Sequence, residues 1–146
     1  MYIVGLIVYV AFLIGITFLC GKPGIFVDFP SIIVILGPTL ALLLASGLMP
    51  DFMRGFVVMS QKENTHSSLE LHKTEVAVGL TIRLLLLSGF LGSLIGLISM
   101  LALLSDPTTL GRNMSVSLLT LLYAVLFSFI LLPIRAKIRA ILHTLD

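Results

Sequence analysis

"NMSVSLLTLLYAVLFSFILLPI", residues 113–134, is 22 residues long, carries no charged side chain and is bounded by Arg112 and Arg135. A bilayer core of ~30 Å takes ~20 residues at ~1.5 Å each, so this run has the length of one crossing. Two runs of the same length stand between Asp28 and Asp51 and between Arg83 and Asp106, and residues 1–21 precede the first charge, Lys22. Helices of a water-soluble core would carry polar stripes that these runs lack. The chain as a whole is 58% hydrophobic and 11% charged, with a mean hydropathy of +1.18, where a soluble domain is about a quarter charged. The expectation is an all-α integral membrane protein with four transmembrane helices, near 2–21, 30–49, 76–104 and 113–134. A cytoplasmic loop at 50–75 and a basic amphipathic tail at 135–146 complete one membrane domain over 1–146.

The first run lacks the basic start and small-residue cleavage site of a signal peptide. Cys20 follows Thr17-Phe18-Leu19, without the small residue that precedes a lipoprotein cysteine, and a lone cysteine frames no disulfide. Lys and Arg set the orientation. Lys22 and Arg112 fall in the outer connections. Arg54, Lys62, Lys73, Arg83, Arg135, Lys137 and Arg139 fall in the middle connection and the tail. That bias places both termini in the cytoplasm. The net charge of +2 is accordingly a topology signal, and no basic face suited to nucleic acid is present.

Within the runs, small and hydroxylated residues recur at helical spacing. Gly37-Pro38-Thr39 interrupts the second, where Pro38 removes a backbone bond and predicts a kink. Gly89, Gly92 and Gly96, with Ser93 and Ser99, give the third a surface that lets another helix approach closely. Asn113, Ser117, Thr120, Ala124 and Ser128 recur in the fourth at steps of four, three, four and four. The plainer account is tight helix contact with each hydroxyl bonded to its own helix's carbonyls. The sharper account is that the stripes line a polar path. His66, His72, Glu63, Glu70 and Glu75 have no compact ligand spacing and read as a solvated face, though "SSLELHKTEVAVGLTIR" can run as a helix into the third run. No acid, Lys or His lies deep in any run, and no catalytic constellation or phosphate loop is present, so the chain is not read as an enzyme.

Two stretches carry a resemblance. "FVDFPSIIVILGPT" matches, at Asp28, Pro30, Ser31, Gly37 and Thr39, the start of the second helix in MotA-type flagellar stator subunits of the MotA/TolQ/ExbB family. "GSLIGLISMLALLSDPTTLGRNMSVSLLTLLYAVLFSFILLPI" resembles that family's third and fourth helices. Gly92, Gly96, Leu97 and Ile98 match first, Asp106, Pro107, Leu110 and Gly111 form the hinge, and Thr120, Tyr123 and Pro133 follow. The resemblance implies a homopentameric ring around two copies of a MotB/ExbD/TolR-like partner, whose single transmembrane helix brings the ion-binding Asp. It implies Ser93, Ser117 and Thr120 as the lining of an H+ or Na+ pathway. Pro133, Asp106, Pro107 and Gly111 become coupling or hinge positions, and Gly89, Gly92, Gly96 and Pro38 helix contacts. No cofactor is implied beyond the transported ion. Leu86 stands where the family has a proline, and the segment from Asp51 to Arg83 replaces a large cytoplasmic domain.

The function this implies is an ion-motive-force-driven channel and motor subunit of the bacterial inner membrane, in contact with lipid and powering rotation or force across the envelope. The alternative is a structural or assembly four-helix membrane protein without ion conduction.

Overall fold

The computed structural model describes residues 2–19, 21, 23–60, 67–102 and 107–145, and its regular structure is helical throughout. Among the described residues five α-helices follow one another: α1 Tyr2–Leu19, α2 Phe29–Ala45, α3 Met49–Ser60, α4 Ser68–Ala102 and α5 Pro107–Leu145. A short 3-10 turn, Pro23–Phe26, joins the first two. Asp106, Cys20, Lys22, Lys62, Glu63 and His66 lie outside the described residues. By length and apolar composition α4 and α5 can each cross a membrane, and α2 with α3 passes as a third span if that bent pair is taken together. The chain is an all-α membrane protein.

α4 and α5 form the central pair, α2 lies across both, α3 sits at one end, and α1 touches mainly the 3-10 turn. The pairing follows from spacing. Leu71, Thr74, Val78, Ile82, Leu85, Ser88 and Gly92 of α4 are buried, and so are Ser117, Thr120, Ala124, Ser128, Leu131, Ile134, Ile138 and Leu142 of α5. These steps of three and four draw one continuous stripe along each helix. Three glycines bring the backbones together. A Cβ built at Gly89 would stand 2.2 Å from the Ala124 Cβ, one at Gly92 2.6 Å from the Thr120 Cγ2, and one at Gly96 2.9 Å from the Ser117 Cβ.

Both central helices outrun a bilayer: 35 and 39 residues rise ~52 and ~58 Å against a ~30 Å core. The segment expected as loop and tail is therefore mostly helix. α4 starts early because Ser67 N–H donates to Glu70 Oε2 at 3.3 Å, half of a capping box, and no breaker follows. α5 passes through Pro133 unbroken, with Pro133 on its exposed side.

Beyond Arg83 and Arg135, which bound the charge-free runs, this stalk is tied by charge. Glu75 Oε1 accepts from Arg135 Nε at 3.1 Å and from Arg139 Nε at 2.8 Å. Partial burial alone would raise the Glu75 carboxyl, but hydrogen bonds and charge attraction from Arg139 and Arg135 outweigh it and hold it below its ordinary value.

α2 is capped by Asp28 and ends at Ala45, where Gly47 takes φ +69°, a left-handed conformation natural only to glycine. The chain there turns by 108° into α3. Pro38 stays inside one continuous helix, exposed, while the Thr39 hydroxyl donates to the Ile35 carbonyl at 2.7 Å.

Candidate functional site

At the end of the bundle away from α3, the helices α2, α4 and α5 meet along a seam of hydroxyls. It starts from Asp28, whose extended backbone ends the connection and whose carboxylate accepts from Ser31 N–H at 3.2 Å. The Ser31 hydroxyl donates to the same carboxylate oxygen. On α5, the Thr120 hydroxyl is placed to donate to Ser31 Oγ at 3.0 Å or to the Val116 carbonyl at 2.8 Å. A hydroxyl has one proton, so Thr120 makes one of these bonds at a time. A carboxylate at the helix mouth is thus linked through two hydroxyls to the middle of the bundle.

Tyr123, one turn further along α5, supports this end. Its hydroxyl donates to the Phe26 carbonyl and accepts from Asp28 N–H at 3.0 Å. Tyr123→Phe leaves both backbone groups without that partner and is expected to cost about 1–3 kcal/mol of unfolding free energy. Tyr9→Phe, which removes a longer 3.4 Å bond to the Leu126 carbonyl, is expected to change the same measurement by less than half as much.

A second crossing lies one turn back along α5. Ser117 Oγ donates to the Ser93 carbonyl at 2.7 Å, and the two hydroxyl oxygens stand 3.2 Å apart. Toward α3, the Thr39 and Ser88 hydroxyls are 3.4 Å apart. Other hydroxyls follow the plainer expectation. Thr81 bonds the Ala77 carbonyl, Ser99 that of Ile95, Ser115 that of Gly111 and Ser128 that of Ala124. Ser31, Thr120 and Ser117 are different, because their bonds tie one helix to another.

The structure therefore brings Ser93, Ser117 and Thr120 together, all buried, and sets Gly89, Gly92 and Gly96 against the same face of α5. It does not bring the hinge there. Pro107 opens α5, Gly111 is exposed one turn later, Pro133 is exposed at the other end, and Pro38 faces outward from α2. Asp28 and Ser31 were not among the residues expected to line a path. The available signal was the Asp-x-Pro-Ser spacing, which places Ser31 on the third helical residue, facing its own cap. Among the described residues, no group of three or more His, Cys, Asp or Glu side chains is arranged to hold a metal. On the face of α5 turned away from Ser117 and Thr120, an open groove of about 340 Å³ is lined by Phe26, Ser115, Leu118, Leu119 and Leu122.

No family model matches the chain. Over 52 residues it is 46% identical to "Motility protein A" of Aquifex aeolicus (strain VF5), a stretch covering 35% of this chain and 20% of that protein. Over 51 residues it is 45% identical to "Motility protein A" of Treponema phagedenis, and over another such 51-residue match 43% identical to "Chemotaxis protein PomA" of Vibrio alginolyticus. Each of these covers 34% of this chain and 20% of the relative. The chain is related to the MotA-type motility proteins. The MotA-type match spans about a fifth of the length of those relatives, so what they do as whole proteins is not carried over with it. What this chain shows itself is the helix pair and its hydroxyl seam.

Proposed function

We propose that the chain is a ring subunit of an ion-driven motor in the bacterial inner membrane. The reading rests on one observation above others: Asp28, Ser31 and Thr120 link the capped end of α2 to α5 by hydrogen bonds, and Ser117 joins α5 to Ser93 of α4 one turn away. Hydroxyls around a carboxylate suit a proton carried through water or a partly dehydrated sodium ion. The four charge-free runs and the excess of Lys and Arg on one side support four crossings with both termini cytoplasmic. In this reading five copies surround two MotB/ExbD/TolR-like partner helices, and the partner supplies the ion-binding Asp that no run of this chain contains. Thr120 is only 3% exposed in the single subunit. Ser93, Ser117 and Thr120 line the ion pathway, and the single membrane domain transmits force across the envelope.

A second reading is an assembly protein without conduction. It is favoured by the fact that Ser31, Ser93, Ser117 and Thr120 all have hydrogen-bond partners inside the subunit. Thr120→Val separates the two, since it keeps the side-chain shape and removes the hydroxyl. Co-purified with its partner and placed in vesicles, the variant is expected to assemble normally and lose ion uptake about tenfold, the rate equivalent of one hydrogen bond of ~1.4 kcal/mol. Uptake equal to that of the unaltered chain would remove the conducting reading.

A further inference from the structure

α3 has no role in the hydroxyl seam, yet its placement is tightly specified. On the side facing the bundle, a Cβ at Gly55 would lie 3.1 Å from the Val78 Cγ2 and 3.3 Å from the Ile134 Cγ2, so α3 rests directly on both long helices. Its last turn is held by Lys137, whose Nζ donates to the Val58 carbonyl at 2.8 Å and the Met59 carbonyl at 3.3 Å. An ammonium on the last carbonyls also suits the negative end of the helix.

The other side of α3 is apolar and uncovered. Met53, Phe56 and Val57 are 51%, 41% and 46% exposed. At about 100° per residue, Met53, Phe56 and Val57 fall on the side opposite Gly55 and Val58, while Phe52 and Met59 pack partly against the core and Asp51, paired with Arg54 at 2.6 Å, lies toward the bundle. Phe52 and Phe56 meet edge to face, their centroids 5.4 Å apart. The uncovered side is therefore apolar and free of charge, on a helix turned 108° from α2.

Its level along the bundle is also fixed. α3 meets α5 at Ile134, next to Arg135, and α4 at Val78, five residues from Arg83. Arg83 and Arg135 end the charge-free runs, so α3 lies within about 7 Å of the apolar edge. The polar zone of a leaflet is itself about 5–7 Å thick on each side of the core. At the end of α2, Leu42 and Leu44 are exposed apolar residues as well.

We propose that α3 is an interfacial helix, with Met53, Phe56 and Val57 seated in the lipid boundary at the charged end of the bundle and the ion-paired Asp51 and Arg54 turned away from that boundary. Gly55 and Lys137 fasten it to the long helices, so lipid and protein share its two sides. A helix of this kind buries its apolar face about 5–10 Å into the boundary of headgroups and acyl chains.

The chain contains no tryptophan, so a single one reports without background. F56W and V57W, made separately in the full chain and reconstituted in phosphatidylcholine–phosphatidylglycerol vesicles, place the reporter on the exposed side. L69W, at a position 64% exposed near the start of α4, is the aqueous reference. Lipid brominated near the headgroup end of its chains is expected to quench F56W and V57W about twofold or more beyond L69W, while aqueous iodide quenches mainly L69W. Iodide quenching equal to that of L69W would overturn the proposal by showing the face open to water. Stronger quenching by lipid brominated near the chain ends would overturn it in favour of a re-entrant α3. Protection from both quenchers would overturn it in favour of a covering protein, a second copy included.

Discussion

Gly89→Leu is expected to separate α4 from α5 and to produce the largest loss of stability of any single change in the central pair. The reason is the kind of atom in the way. A Cβ at position 89 would stand 2.2 Å from the Ala124 Cβ and 3.5 Å from the Thr120 carbonyl oxygen. A Cβ cannot rotate aside as a side-chain tip can, so the helices themselves must move. Gly92 is more forgiving, because its neighbours are the Thr120 Cγ2 at 2.6 Å and the Val34 Cγ1 at 2.8 Å. Overfilled contacts of this kind cost about 1–3 kcal/mol for one added methyl group, and a leucine here is expected to reach about 4 kcal/mol or more. Gly111→Ala is the informative contrast, since nothing lies within 4 Å of a Cβ there. Helix propensity alone favours alanine over glycine by about 1 kcal/mol at both positions. Unfolding free energies in lipid–detergent micelles should rise slightly or stay level for Gly111→Ala and fall for Gly89→Ala and further for Gly89→Leu. A fall at both positions, or at neither, would show that close approach at Gly89 is not what joins the pair.

The second large effect is expected at the charged stalk. Arg135 reaches Glu75 by crossing α4 at Gly79, where a Cβ would stand 3.0 Å from its guanidinium carbon. The Glu75 and Arg135 side chains are 16% and 26% exposed, while Arg139 is 57% exposed and correspondingly screened. E75R places three guanidinium groups together and is expected to cost about 1–3 kcal/mol. The double reversal E75R/R135E should recover more than half of that, and failure to recover would assign the loss to shape instead of charge. Acid is expected to act on the same contact. Because Glu75 is held below its ordinary value, its contribution is fully present above the unfolded carboxylate value, ~4.3, and fades as pH falls through the lower folded value. Stability should therefore be flat near neutrality and decline in acid, and E75Q should remove this part of the decline.

How far the sequence could be read depended on the range of the interactions. The charge-free runs and the glycine and hydroxyl steps are properties of single helices, so α4, α5 and their shared face were legible. Asp28 capping Ser31 is also local. The link to Thr120 was not, because it depends on how α2 is registered against α5, 89 residues away in the chain. α3 was hidden for a similar reason. "MPDFMRGFVVMS" mixes charge, glycine and proline, and its helix is held by Val78, Ile134 and Lys137, none of which lies nearby in sequence. The length of α4 could be suspected from Ser67 and Glu70, but that of α5 depends on Pro133 leaving the helix unbroken.

That unbroken length has a mechanical consequence. From Arg83 back to Ser68, α4 projects about 22 Å beyond its charge-free run. This projection is continuous with the apolar part of α4, tied to α5 by Glu75 and braced by α3. A tilt of about 10° at the apolar end carries the tip sideways by about 4 Å, from a rise of ~1.5 Å per residue. The stalk has the geometry of a lever arm, held straight by the buried contacts of Leu71, Val78, Ile138 and Leu142 and by the Glu75 ion pairs across the Gly79 notch.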